Sequence, residues 1–84
     1  MDEKTKEILE NFMLFLDQNI KQHKHFQTAE IGKYSVHDFK VTIEIFLNQQ
    51  PHHIYVDLRE IKENRFSHLL ENAIDQLAEK YNFR

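Results

Sequence analysis

Apolar residues in the first quarter of the chain recur at helical spacing. Ile8, Leu9, Phe12, Met13, Phe15, Leu16 and Ile20 fall on one broad stripe at about 100° per residue, which predicts an amphipathic helix from Lys4 to about Gln22. Asp2 and Glu3 precede it and Lys21 and Lys24 follow it, the charge order that the helix macrodipole favours. Leu14 points off the stripe. After Asp38 the period drops to two. Phe39, Val41, Ile43, Ile45 and Leu47 alternate with Lys40, Thr42, Glu44, Phe46 and Asn48, which predicts a strand with the first set turned inward.

A turn around Gln49 to Pro51 follows. Beyond it Ile54, Val56 and Leu58 alternate with His53, Tyr55 and Asp57, so a second strand folds back on the first as a hairpin. Proline fits there because it sits at the strand's start. Thr28 to Val36 reads as a further strand carrying Ile31, Tyr34 and Val36, whose phase slips by one at Gly32 as a bulge or bend would make it. From about Asn64, a candidate N-cap, to Tyr81, the residues Phe66, Leu69, Leu70, Ala73, Ile74, Leu77 and Tyr81 repeat at three and four, which predicts the last helix.

The element order is helix, strand, strand, strand, helix. Laying both helices on the apolar face of one antiparallel sheet buries all three apolar surfaces, so the expected fold is an α+β two-layer sandwich. Residues 1-84 are expected to form a single compact domain, since 84 residues with 40% hydrophobic content supply one core and not two. The second face of the sheet is left without a cover.

Charge and composition narrow the chemistry. The formal net charge is −3 with acidic and basic residues interspersed, so no broad positive field gathers a phosphate backbone and nucleic acid is not the expected partner. Cysteine is absent, which removes disulfides, thiolate nucleophiles and cysteine metal sites and fits a reducing cytoplasmic location. The first twenty residues are too charged, and their apolar positions too spaced, for a secretory or membrane-spanning segment. Usage rich in Lys, Asn and Ile points towards a bacterial or phage genome.

With one glycine there is no loop rich in backbone amides for a nucleotide phosphate. Ser35 and Ser67, the two serines, lie outside any nucleophile-elbow pattern. An enzyme, a cofactor and a small-molecule substrate are therefore not expected. In the stretch Gln49 to Leu58, reading QQPHHIYVDL, adjacent His52 and His53 point to opposite sides of a strand and cannot share an ion. His53 belongs to the outward row, and His52 is placed at the turn. His23 and His25, where the first helix frays into an extended segment, can offer two imidazoles on one side but have no second cluster at a defined offset. His68 falls beside Glu71, Asp75 and Glu79 on a solvated helix face. No metal site is expected.

Two functions from different classes remain, with a small metal-binding or acid/base enzyme as a further alternative, since Glu44, Asp57 and His53 share the outer sheet face. The element order is similar to that of the double-stranded-RNA-binding domain, which implies duplex binding as the alternative. That family clusters phosphate-binding lysines at the start of its last helix. Here the matching stretch reads REIKENRFSH, with Lys62 and Arg65 offset by Glu60 and Glu63, and the acidic stripe of Glu71, Asp75 and Glu79 follows. The preferred expectation is a protein-binding module of inhibitor, immunity or adaptor type, or a homodimeric accessory protein. Its expected contact surface is the outer sheet face, with Phe46 set beside His53 or Tyr55 by the hairpin and with Glu44 and Asp57 around them. Leu14 and Phe83 are candidates to enlarge that surface. The expected partner is another protein or a second copy of the chain.

Overall fold

The computed structural model describes residues 2–63 and 65–81, the last of these by its backbone alone. Asp2 caps the first helix, α1 (Glu3–Gln22), by accepting a hydrogen bond from the Thr5 amide at 2.7 Å, which satisfies one of the donors a helix start leaves free. Leu9, Phe12, Leu16 and Ile20 are its buried row. Phe15, counted with that row by its spacing, is instead 48% exposed and meets the Phe66 ring edge-to-face at 5.6 Å. His23 ends the helix. Two turns then replace the extended segment expected there, closed by Phe26 N–H to the His23 carbonyl at 2.9 Å and Ala29 N–H to the Phe26 carbonyl at 3.1 Å. They drive Phe26 fully into the core, and the first strand starts at Glu30 and not at Thr28.

Three antiparallel strands, β1 (Glu30–His37), β2 (Lys40–Leu47) and β3 (Gln50–Asp57), form one sheet in the order β1-β2-β3. The phase slip read at Gly32 is a bulge, since the register shifts between the pairs Ile31↔Ile45 and Tyr34↔Ile43. Between β2 and β3 the pairs run from Lys40↔Asp57 to Leu47↔Gln50. The last pair closes a two-residue turn of Asn48 (φ 52°) and Gln49 (φ 69°), the two positive φ values that a type I′ hairpin requires. So the turn lies earlier than expected, and Pro51 sits inside β3. An edge strand admits it there because the missing N–H need not face a neighbour. His52 is likewise not a turn residue; it pairs with Ile45 on the helix side of the sheet.

Asp38 (φ 57°) and Phe39 link β1 to β2. Phe39 was expected to start the inward row, yet it is 54% exposed. It belongs to a turn beyond the last ladder pair, His37↔Lys40, where strand alternation no longer governs the side chain. Leu58, expected as the last inward strand residue, opens a short helix, α2 (Leu58–Lys62), and reaches the core from there. The final helix, α3 (Phe66–Tyr81), follows; the N-cap expected at Asn64 lies outside the described residues, as do Phe83 and the side chain of Tyr81.

Val41, Ile43, Ile45, Leu47, Ile54 and Val56 from the sheet meet the α1 row together with Ile61 of α2 and Leu69, Ala73 and Leu77 of α3 in one buried cluster. Both long helices thus lie on one face of the sheet, and the molecule is an α+β two-layer sandwich. Among the described residues no helix is long and apolar enough to cross a membrane.

Candidate protein-binding face

Alternation along the strands places Phe46, His53, Tyr55, Glu44 and Asp57 in the row opposite the buried one. They are on one face, but they do not form one cluster. The two-residue turn sets the register so that Phe46 pairs with Pro51, Glu44 with His53, and Thr42 with Tyr55. The expected neighbourhood of Phe46 with Tyr55 is therefore corrected. Tyr55 lies four positions along the strand from Pro51, the partner of Phe46, a distance of about 13 Å.

At the end near the β2–β3 turn, Phe46 is half-buried because it leans across β1. A Cβ built on Gly32 would stand 2.8 Å from Phe46 Cε2 and 2.5 Å from Glu44 Oε1. Gly32 thus serves by its lack of a side chain, and the Phe46 ring covers the gap, a cross-strand shielding of an edge glycine. Glu44 Oε1 also accepts from the Lys33 amide in the bulge at 3.5 Å, the long limit of a hydrogen bond. Glu44 and Phe46 hold the bulge from outside.

The other end is built differently. Tyr55 is 46% exposed, and Lys40 Nζ lies 5.0 Å from its ring centroid. The guanidinium carbon of Arg59 lies 4.8 Å from the centroid of the exposed Phe39 ring. Both distances fall within the range at which a cation is attracted to a ring face. Asp57 sets the second pair. Its Oδ1 accepts from Arg59 Nε at 3.2 Å and from the Arg59 amide at 2.8 Å, while Oδ2 accepts from a terminal guanidinium nitrogen at 2.9 Å. The guanidinium hydrogen bond, followed by the amide's, holds the Asp57 carboxyl below its ordinary pKa, and the guanidinium bond, followed by the negative charge of Asp57, raises that of Arg59. Asp57 is thus both the cap of α2 and the anchor that keeps Arg59 over Phe39.

Phe39, Lys40 and Arg59 were not among the contact residues expected from the sequence. The turn residue Asp38 before Phe39 was a signal for the first of these. For Arg59 the signal was the Asp57-Leu58-Arg59 spacing, which brings acid and base together only once a helix begins at Leu58.

His53 is exposed beside Glu44, and His52 is half-buried on the other side of the sheet. His23 and His25 have ring centroids 5.5 Å apart, and the His25 amide donates to His23 Nδ1 at 3.3 Å. No group of three or more His, Asp or Glu side chains stands ready to hold a metal ion among the described residues. Near the start of α3, Arg65 pairs with Glu63 at 3.2 Å, and Glu71, Asp75 and Glu79 are exposed along the helix.

The fold and this face define a small α+β sandwich with one helix-free side that carries aromatic and paired charged residues. Comparison with protein-family models, with curated proteins and with solved structures finds no match to the chain.

Proposed function

We propose that this chain is a non-enzymatic protein-binding module whose contact surface is the outer sheet face, centred on the Tyr55 and Phe39 end. One observation carries the reading. Two large aromatics, 46% and 54% exposed, line one shallow hollow where the β1–β2 turn meets the end of β3, each with a cation at its ring. Aromatic and arginine side chains of this kind are the anchors that dominate protein interfaces. Tyr55 and Phe39 supply the apolar contact, Lys40 and Arg59 the charged rim, and Asp57 the positioning of Arg59. His53 and Glu44 extend the surface along the strands towards Phe46.

Charge supports a protein surface over a phosphate backbone. Asp57 neutralises Arg59, and the outward ladder row also carries Glu30 and Glu44. A catalytic reading has less support. The groups held off their ordinary pKa, Asp2, Asp57 and Arg59, owe the shift to helix-capping and pairing bonds that the fold already uses. Inhibitor, immunity and adaptor roles, and a homodimeric accessory role, all share this mode of action.

The test compares wild type with a Phe39→Ala/Tyr55→Ala variant. Sedimentation across concentrations reads self-association, and chemical cross-linking followed by capture in the source cell reads a different partner. The expected result is a folded variant that loses the association seen for wild type by about 1–4 kcal/mol. Identical behaviour of the two proteins in both measurements would refute the reading. Salt-dependent duplex RNA binding would replace it with the alternative.

A further inference from the structure

The two edges of the sheet are finished differently. On β3 the side-chain amide of Gln76 in α3 accepts from the Tyr55 N–H at 2.9 Å and donates to the Tyr55 carbonyl at 2.8 Å. These peptide groups therefore point away from β2. In an antiparallel ladder the outward and inward pairs alternate, so Thr42, opposite Tyr55, directs its own peptide groups to Ser35 of β1. The residues on either side of Ser35, Tyr34 and Val36, consequently direct theirs away from the sheet. No strand lies beyond β1 among the described residues.

Beside this open edge runs a groove whose apolar walls are Met13 and Leu14 of α1 and Ile31 and Tyr34 of β1. Leu14 is 64% exposed, the highest value among the exposed large apolar side chains. Its place on the helix explains the surroundings. Glu3, Glu7, Glu10, Leu14 and Asp17 recur at spacings of four, three, four and three, so one face of α1 presents a row of carboxylates around a single leucine. Glu10 and Asp17 stand on the groove itself. Asp17 is paired with Lys21 at 3.3 Å, whereas Glu7 and Glu10 make no ion pair among the described residues.

We infer that the groove between α1 and the free edge of β1 accepts an extended basic segment of another protein as a fourth strand. Its backbone bonds to the outward peptide groups of Tyr34 and Val36, and its helix-side residues alternate between apolar contact with Leu14 and Met13 and pairing with Glu7 and Glu10. Main-chain bonds supply attachment in this mode, and the side chains over the groove supply selectivity. The bulge at Gly32 ends the regular ladder, so the docked stretch is short and spans Tyr34 to Val36. A second copy is the poorer occupant, because pairing β1 with its twin would bring two acidic stripes towards each other. This site is separate from the outer face and stands without it.

The probe is a labelled decapeptide repeating Thr-Val-Thr-Lys, whose valines and lysines share one side of an extended strand, titrated onto the full chain by fluorescence anisotropy. Two control peptides accompany it, one with glutamate for lysine and one with alternate backbone nitrogens methylated. Saturable binding to the lysine peptide is expected. It should weaken at least roughly tenfold with either control, as expected when charge pairing or main-chain bonds are lost. A Leu14→Ala/Glu10→Gln variant, checked for its fold by circular dichroism, should weaken it as well, and a Tyr55→Ala variant should not. Amide signals of Tyr34 and Val36 should shift on titration. No binding up to about 1 mM, near the weak end of measurable affinity, overturns the inference. So does equal binding of the methylated peptide, which leaves charge attraction alone. Dimerisation abolished by the Leu14→Ala/Glu10→Gln variant would instead assign the groove to a second copy.

Discussion

Gln76 of α3 and Tyr55 of β3 form a closed amide pair, with the side chain of one bonding both peptide groups of the other at 2.9 and 2.8 Å. Asn72 steadies the clamp by accepting a third bond from Gln76 Nε2 at 2.9 Å. A glutamine thereby stands in for the strand that would otherwise continue the sheet, and α3 is fixed to the sheet's edge as well as to its inner face. An unpaired edge is a template for unwanted pairing, so the clamp stabilises the domain and protects it.

Gln76→Ala should therefore act twice. The loss of two exposed main-chain bonds should cost about 1–2 kcal/mol, read as a lower midpoint in urea. Hydrogen exchange at the Tyr55 amide should accelerate more than at Ile54, whose peptide groups face β2. Unchanged exchange at Tyr55 would show that the clamp does not hold in solution.

The β2–β3 turn holds two non-glycine residues at positive φ, Asn48 and Gln49. Asparagine tolerates this conformation, while glutamine gains nothing from it. Gln49→Gly gives the Asn-Gly pair that this turn type prefers and should raise stability by about 0.5–1 kcal/mol. Asn48→Gly should help less. Thermal denaturation of the two variants checks the order.

Filling the space at Gly32 should do the opposite. In Gly32→Ala the new methyl meets the Glu44 carboxylate and the edge of the Phe46 ring, an overpacking that costs about 1–3 kcal/mol. Truncating Phe46 makes room, so the double variant Gly32→Ala/Phe46→Ala should be more stable than the sum of the single effects implies. Additive losses would mean that the ring does not lie over the glycine.

Acid should weaken the fold partly through two aspartates. Asp2 is held below its ordinary pKa by the backbone hydrogen bond from Thr5, then by the Thr5 side chain, and Asp57 by Arg59. A carboxyl lowered in the folded state contributes stability that is fully present above the ordinary aspartate pKa of about 4. That contribution is lost as pH falls through the lowered folded value. Between neutral pH and pH 2 the midpoint of wild type should drop more steeply than that of Asp2→Asn/Asp57→Asn, with the difference confined to the acid end. Parallel curves would remove these residues from the acid response.

Truncation separates the two faces of the sheet. Ile43→Ala opens the buried cluster and should cost about 2–5 kcal/mol. Tyr55→Ala on the outer face should cost less than about 1 kcal/mol, as surface changes usually do. A large loss at Tyr55 would make its ring structural and would weaken its proposed role as an anchor.

Periodicity alone determined the two long helices and the three strands, and it located the bulge at Gly32, because those choices depend on which side chains a local backbone can bring to one side; the short helix α2 it missed. It also separated the buried row of Val41, Ile43, Ile45, Ile54 and Val56 from the outer row of Glu44, Phe46, His53, Tyr55 and Asp57. What lay beyond it was everything set where the alternation stops or where distant segments meet. Phe39 leaves the inward row because its residue turns the corner between strands, and Leu58 because Asp57 starts a helix one residue earlier. The hairpin register, which separates Phe46 from Tyr55, depended on two residues adopting positive φ without a glycine to announce it. The Gln76 clamp joins positions 21 residues apart, and its polar side chain on a helix reads as solvent-facing until α3 is laid along β3. Only the tertiary structure decided these points, since hydrogen bonds and ring contacts across the fold depend on where its layers come together, while local spacing records only which way each layer faces.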